Sequence, residues 1–368
     1  MKATAVAPSN IAFIKYWGKK DEKLNIPQNG SISMNLSNLL TTTTVEFSGD
    51  LKEDVVTINQ KLLSYSSSER SESRSDVIPD PIGNLDSRFR GNDKPGSSRQ
   101  PRTIKESSDI DRIVKHLDTV RSLARINHRA KVVTKNNFPT STGLSSSASG
   151  FAALTLAASN AASLKLSEKE LSILARQGSG SACRSIPDGF VEWIDGDNNE
   201  TSYALSLFPP NYWDIVDIVA IVSTNKKEIP TTEGQKLARS SPFLSIRLKR
   251  IKDRISLIKK YLKGKNFKLF GELIEQEALE MHAIMLTSTP PLIYWLSATI
   301  RVMHAVQKWR NEGLKVYFTV NTGQNIHLIC QKKDAKEVAR KVSRLPEVSR
   351  VTKNIPSVGA RIISTHLF

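Results

Sequence analysis

The chain predicts an α+β fold, and three observations carry that reading. Near the N-terminus, Thr41 to Phe47 is a β-branched run, and a second strand-forming run, Val55 to Leu63, is expected to pair with it. From Asn137 to Gly150 a loop of small residues opens into a small and apolar helix. In the last third, helices at about 245–264, 266–285 and 292–312 precede strands at Lys315–Val320 and Ile326–Gln331. Helices on one face of a mainly antiparallel sheet, once in each half, give α+β.

The remaining elements follow in order. Val6 to Tyr16 is rich in strand formers. Ile110 to Ile126 reads as an amphipathic helix and Ala130 to Thr134 as a short strand. Ser167 and Glu170 form a capping box for a helix that stops near Gly178. Phe190–Ile194 and Ile215–Ser223 read as strands, Asp334–Leu345 as a helix and Ala360–Thr365 as a last strand. Residues 66–103 differ in kind. They are rich in Ser, Arg, Asp, Pro and Gly, and read as a disordered insertion in a loop. Asp76 to Asn84 and Ser87 to Asp93 resemble translated mobile palindromic repeats found inside bacterial genes.

The 368 residues suffice for two cored domains, and 39% hydrophobic residues is ordinary for a globular chain. No apolar run reaches the roughly 18–20 residues of a membrane span. Met1 to Pro8 holds no long apolar stretch of a signal peptide. Two cysteines, Cys183 and Cys330, argue against a disulfide framework and fit a cytoplasmic location. The net charge of +17 suits nucleic acid, anionic lipid or a field that gathers phosphorylated substrates. The densest basic run, Arg247 to Arg254 and on to Lys265, reads as the solvated face of an amphipathic helix. No aromatic residue interleaves with its basic core as a single-strand nucleic-acid surface would want, so no nucleic acid is expected, and without a long apolar run no membrane partner is expected either.

Chemistry enters at the Asn137–Gly150 loop. Pro139 stiffens its approach and Gly143 can take the angles of a tight turn. Leu144, Ser145, Ser146 and Ser147 lead into the helix. A helix start with small hydroxyl residues is a phosphate cradle, because its first N–H groups lack partners and its dipole end is positive. The plain alternative is a serine N-cap on a core helix. Pro-x-x-x-Gly-Leu-x-Ser-Ser-Ala, Pro139 to Ala148, resembles the phosphate loop of the GHMP kinase superfamily and not a Walker A loop.

Four further stretches narrow the resemblance to the diphosphomevalonate decarboxylase family. Ala7 to Asp21, with Asn-Ile-Ala-Phe-Ile-Lys-Tyr-Trp-Gly-Lys-Lys at its centre, closely resembles that family's opening. Gly178-Ser-Gly-Ser-Ala-Cys-Arg-Ser185 is similar to its most distinctive segment. Lys226 to Gly234 is similar to its Lys-Lys-x-x-Ser-Ser-Thr-x-Gly stretch, with Pro230 and Thr231 for the serines. Met281 to Pro291 resembles its His-Ala…Pro-Pro helix end.

The resemblance implies a two-domain GHMP kinase fold. Its N-terminal half, 1–212, would be ribosomal protein S5 domain 2-like and its C-terminal half, 213–368, ferredoxin-like. It implies ATP-dependent decarboxylation of mevalonate 5-diphosphate to isopentenyl diphosphate, with ATP and Mg2+ as cofactors, in a homodimer. Arg184 would pair with the substrate carboxylate and Asn10 would hold the two in register. Tyr16, Lys19, Ser179 and Ser181 would take the diphosphate, with Thr231 on phosphate where the family has serine. Ser146 and Ser147 would bind the ATP phosphates and magnesium. Alternatives remain beside these roles. Lys20 could point inward instead of Lys19, and Tyr16 and Trp17 could be core aromatics. His282 reads as a satisfied helix histidine and Cys183 as packing.

One departure stands out. The family has Thr-x-Asp-Ala-Gly-Pro-Asn, with the aspartate as base for the 3-hydroxyl. Here the stretch is Thr319-Val-Asn-Thr-Gly-Gln-Asn325, so Asn321 stands in its place. An amide cannot take a proton at neutral pH. The chain could be a slow decarboxylase or one whose loose transition state needs little base. It could also be a related GHMP small-molecule kinase without decarboxylation, a catalytically impaired homologue, or no enzyme at all but a degenerate protein or a nucleic-acid binder.

Overall fold

The computed structural model describes residues 1–64, 104–140 and 142–368, and the reading of 66–103 as an insertion lies outside them. The first half runs β1 (Lys2–Ile14), β2 (Lys19–Asp21), β3 (Ile26–Pro27), β4 (Ser31–Ser48), β5 (Val55–Ile58) and β6 (Lys61–Ser64). It continues with α1 (Ile104–Ala124), β7 (Arg129–Asn136), α2 (Ser146–Ala161), α3 (Glu168–Gly178), a 3-10 turn at Gly180–Ser185, β8 (Phe190–Trp193) and β9 (Ala204–Phe208). The second half runs β10 (Ile215–Ile221), α4 (Thr231–Lys236), α5 (Leu244–Lys263), α6 (Phe267–Leu286) and α7 (Ser297–Asn311). It ends with β11 (Val316–Thr319), β12 (Ile326–Gln331), α8 (Ala335–Val342), β13 (Arg350–Asn354) and β14 (Arg361–Ile363). The architecture is α+β in two halves, as expected.

In the first sheet β4 is the spine. It pairs antiparallel with β1 along its length, with β7 over Thr41–Ser48 and with β8 over Ser31–Met34. The strand is longer than Thr41–Phe47 because its first part, polar at Ser31, Ser33 and Asn35, is buried between β1 and β8. The β1–β4 register shifts beyond Pro8, a residue with no N–H for the ladder, and again after Ala12. The expected single strand Val55–Leu63 is a hairpin. Asn59 and Gln60 turn it with φ of 48° and 69°. It does not pair with Thr41–Phe47. β7 already occupies that edge, so β5 adds to β7 in parallel, Val55 opposite Lys131.

α1, α2 and α3 cover this sheet. Ala152, Ala153, Ala157 and Ala158 bury α2 closely against Ala5, Ala7 and Val45. The Ser167–Glu170 capping box starts α3. The second sheet, in order β11-β12-β10-β13, is antiparallel throughout. Strand β10 is buried on both faces, which accounts for its near-continuous apolar run. Val216, Ile218 and Ala220 pack on α7 and α8, whereas Ile215, Val219 and Ile221 join a core containing Phe13 of β1 and Phe270 of α6. That core spans both halves. β14 then returns to pair with β1. The expected helix 292–312 starts only at Ser297. Before it, Leu292 N–H bonds back to Met285 O at 2.9 Å and Tyr294 is buried, its hydroxyl on Ile229 O.

The basic run on α5 departs from a purely solvated face. Arg247 and Arg254 turn inward, one seven-residue repeat apart, onto Glu277 of α6 at 2.8 and 2.7 Å. Glu280 joins Arg247 at 3.2 Å. The Glu277 carboxylate also accepts the backbone N–H of Lys15 at 3.1 Å, and Arg247 donates to Lys15 O at 2.8 Å. Burial alone would raise the Glu277 pKa; the Arg247 and Arg254 guanidiniums outweigh it and hold the carboxyl below its ordinary value.

Replacing Glu277 by Gln leaves two buried guanidiniums short of their shared charge. The expected cost is about 3–5 kcal/mol of unfolding free energy, read by urea titration at unchanged slope. A loss below about 1 kcal/mol would rule out this role. A depressed carboxylate stabilises above its unfolded pKa of about 4.3. The native advantage should therefore vanish as pH falls through the lower folded value.

Candidate active site

The loop before α2 is held against the loop after β11, backbone on backbone. Gly143 sits at φ +91°, and a Cβ built on it would lie 2.7 Å from the Gly323 Cα. A Cβ on Gly323 would lie 2.4 Å from the Gly143 Cα and 2.7 Å from Thr142 O. Only glycine at both positions permits this approach. Asn325 donates to Thr142 O at 3.1 Å, and Ser9 of β1 donates to Leu144 O at 2.6 Å. Leu144 itself is buried in the shared core, and Pro139 O accepts from Thr142 at 3.2 Å.

Ser145 occupies the N-cap of α2 in the left-handed region, φ 56° and ψ 36°, and its side chain does not cap the helix. The plain serine N-cap is therefore not what forms. The Ser145 hydroxyl instead accepts from Asn321 Nδ2 at 3.0 Å. Ser146 and Ser147 line a cleft of about 760 Å³, which Ser181, Lys226, Thr231 and Thr322 also wall. The first turn of a helix leaves its leading N–H groups without helical partners, and α2 brings that turn to the cleft with small side chains only.

The 3-10 turn after α3 forms the opposite corner. Arg184 is 3% exposed and makes no ion pair among the described residues. Its Nε and Nη2 donate to Asn10 Oδ1 at 3.3 and 3.0 Å, and its Nη1 donates to Ser31 Oγ at 2.7 Å. Burial pushes its pKa down. Asn10 is fixed in turn by donating to Ser185 Oγ at 2.8 Å. Tyr16 stands edge-on to Trp193 at 4.7 Å, and a Cβ on Gly180 would lie 2.7 Å from its hydroxyl. Ser179 donates to Ser147 Oγ at 3.4 Å, joining the two Ser-rich turns. Lys19 turns inward and is 7% exposed, whereas Lys20 lies outside on Asp195 and Asp197. Thr231 bonds Lys227 and, at 2.8 Å, Thr322. Trp17 is a buried core aromatic packed with Met281, Met285 and Leu292.

Asn321 is the hub of the seam. Its Nδ2 faces Ser145 Oγ and Asn10 O, its Oδ1 accepts from Lys15 Nζ at 3.1 Å, and its backbone O accepts from His282 Nε2 at 2.9 Å. His282, stacked on Trp295 at 4.4 Å, is pushed by burial down to about 3 and stays neutral. Burial pushes the Cys183 thiol up to about 12, so it packs and does not react.

Two residues of the site carried no sequence assignment. Arg112 of α1 donates to Gly178 O at 3.1 Å over the Phe151 ring, and its charge acts on both Tyr16 and Lys19. Only its spacing on an amphipathic helix was visible. Lys15 lies inside a quoted motif, but nothing local said that its side chain would cross to residue 321.

Comparison with known proteins accords with this geometry. A family model described as diphosphomevalonate decarboxylase-like N-terminal domain matches residues 7–88 and 99–204. One described as mevalonate 5-diphosphate decarboxylase C-terminal domain matches 217–361. The chain is 34% identical to the diphosphomevalonate decarboxylase of Aspergillus fumigatus over 349 residues, covering 92% of this chain and 79% of that one. It is 33% identical to that of Debaryomyces hansenii over 346 residues, covering 91% and 81%. The crystal structure of mevalonate diphosphate decarboxylase from Staphylococcus aureus matches at TM-score 0.82 and 34% identity, over 98% of both chains. The complex of MDDEF with MVAPP, AMPPCP and magnesium matches at TM-score 0.82 and 31% identity, over 99% of both. With both halves matched by the family's models, and with relatives above 30% identity along most of their length, this chain belongs to the diphosphomevalonate decarboxylase family.

Proposed function

We propose that the seam performs the family's reaction, the ATP-dependent conversion of mevalonate 5-diphosphate to isopentenyl diphosphate, ADP, phosphate and carbon dioxide. One observation carries the assignment of residues to roles. Arg184 is a buried guanidinium with no carboxylate partner among the described residues, oriented by Asn10 Oδ1 and Ser31 Oγ. A buried cation of this kind calls for an anion, and a planar fork suits a carboxylate.

The other roles follow from position. Tyr16, Lys19, Ser179 and Ser181 take the diphosphate end, and Thr231 lines the same cleft as Ser146 and Ser181. The residues present fit a magnesium nucleotide. Mg2+ is held through few protein oxygens plus substrate phosphates, and the Ser146 and Ser147 hydroxyls are oxygen donors at a helix start. Bound ATP supplies the phosphoryl group. Pro139, Gly143, Leu144 and Ser145 shape the loop that holds it. Arg184 and Asn10 position the carboxylate and stabilise charge as phosphate and carbon dioxide depart. We further assign 1–212 and 213–368 as the two domains, a homodimer as the assembly and the cytoplasm as the compartment. The two free, buried cysteines suit a reducing compartment. The exposed Ile293, Leu296 and Ile300 near the start of α7 offer apolar surface to a second copy.

The direct test is release of phosphate and carbon dioxide from mevalonate 5-diphosphate with Mg-ATP. Both should appear in equal amounts. ADP without carbon dioxide would instead mark a kinase that stops at phosphorylation. Arg184→Lys keeps the charge and loses the fork. Hydrogen bonds to charged groups contribute about 1.5–3 kcal/mol, so kcat/KM should fall roughly ten- to hundredfold; an unchanged value removes Arg184 from the substrate. Gly323→Ala forces the two loops apart. Its KM for ATP should rise at least about tenfold, a cost of about 1.4 kcal/mol, while Gly49→Ala, where a Cβ meets only His128 at 3.8 Å and φ is not positive, serves as the control. Sedimentation should give twice the 40.9 kDa chain mass; a monomer at working concentration discards the dimer.

A further inference from the structure

The hydrogen-bond complement of Lys15 matches a neutral amine. Among the described residues its Nζ has two acceptors, Ala12 O at 2.7 Å and Asn321 Oδ1 at 3.1 Å, and both are uncharged. An ammonium presents three donors, whereas an amine presents two donors and a lone pair. We propose that Lys15, as the free amine, takes the proton of the substrate 3-hydroxyl in this chain, where the family's aspartate is replaced by Asn321. The proposal rests on the decarboxylase reading above.

The charges around Lys15 favour that state. Glu277 approaches from α6, but its oxygens are engaged by Arg247, Arg254 and the Lys15 backbone N–H. Arg247 from α5 and Arg184 from the 3-10 turn repel a third cation. Asp217 of β10 is taken up by His327 of β12 and Asn354 of β13. His282 of α6 is neutral. Burial is the largest effect and drives the Lys15 pKa well below that of an ordinary lysine. A carboxylate at position 321 would reverse this, holding Lys15 as an ammonium and serving as base itself.

Position supports the same role. The Asn321 side chain contacts Lys15 on one side and Ser145 and Asn10 O on the other, so Nζ lies one side chain behind the phosphate loop. In the step, the 3-hydroxyl O–H bond breaks and its proton forms a bond to the Nζ lone pair. The oxygen electron pair forms a bond to the γ-phosphorus of ATP. The bond from that phosphorus to the β,γ-bridging oxygen breaks, and its electron pair leaves with ADP. The ammonium returns its proton to water between turnovers.

The test compares the full-length native chain with Asn321→Asp, with saturating Mg-ATP and mevalonate 5-diphosphate, reading carbon dioxide from about pH 6 to about pH 9.5. The native kcat should rise with pH along one limb, because the amine must be free. In Asn321→Asp the limb should move to lower pH. Lys15→Arg keeps charge and donors but cannot release a proton. It should lose about 10²–10⁴-fold in the native background and far less when combined with Asn321→Asp. Isotope-labelled lysine NMR gives a readout without turnover. One lysine resonance should sit at the neutral-amine position near neutral pH, vanish in Lys15→Arg and shift to the ammonium position in Asn321→Asp. Coincident pH limbs, or an ammonium resonance for Lys15 in the native chain throughout, overturn the proposal. So does a native chain silent at every pH beside an active Asn321→Asp, which leaves the decarboxylase reading standing. Silence in both, with native-like unfolding curves, overturns the two together.

Discussion

The site depends on how the peptide of Lys15 is held. Its N–H is given to Glu277, and its C=O receives Arg247 and, at 2.9 Å, Asn29. A strand end normally frays, because its last polar groups leave the ladder. Here the end of β1 is gripped by charged side chains from α5 and α6, elements of the other half. Ionic partners are costly to bury and weakly stabilising overall. They are directional, however, and a buried carboxylate with two guanidiniums admits few arrangements. That fixes where the Lys15 side chain starts, and so where its Nζ ends.

The second constraint is the glycine pair. Gly143 belongs to the loop before α2 and Gly323 to the loop that carries Asn321, 180 residues later. With no Cβ between them, the two backbones act as one wall. Asn325 ties Thr142 to Val222 and Ser223 in the same place. Phosphoryl transfer asks the protein mainly for position and charge. A wall of this kind supplies position without a flexible side chain in the path. On the reading proposed above, the charge would come from Arg184, kept uncompensated among the described residues, inside a chain whose +17 would draw phosphorylated molecules towards it.

How much of this could be read in the sequence varies with the range of the interaction. Local chemistry was legible: the capping box at Ser167, the glycine turn at 143, and the small-residue face of α2 each depend on neighbours in the chain. The motifs around Asn10, Ser146 and Arg184 also carry their own signatures, and the structure brings Asn10 to Arg184 and Ser147 to Ser179. Long-range pairing was not. Nothing in Val55–Leu63 reveals that the edge of β4 is taken by β7, and nothing in the α5 pattern distinguishes Arg247 and Arg254 from their solvated neighbours. A lysine or arginine at a helical period looks exposed until the opposing carboxylate is known, and Glu277 is 30 residues from Arg247. Arg112 and Lys15 were missed for the same reason.

The exchange of aspartate for asparagine also changes the polarity of the seam. A carboxylate at 321 would accept from Lys15 and from the Ser145 hydroxyl alike. The amide has one side of each kind. With Lys15 donating to Oδ1, the Nδ2 group must donate to Ser145 Oγ, so the serine becomes an acceptor there and keeps its own proton for another partner. Ser145 lies on the cleft wall directly before Ser146 and Ser147, where phosphate oxygens would be the nearest acceptors. One substitution thus moves two protons in the network: it releases one from Lys15 and turns the one on Ser145 towards the cleft.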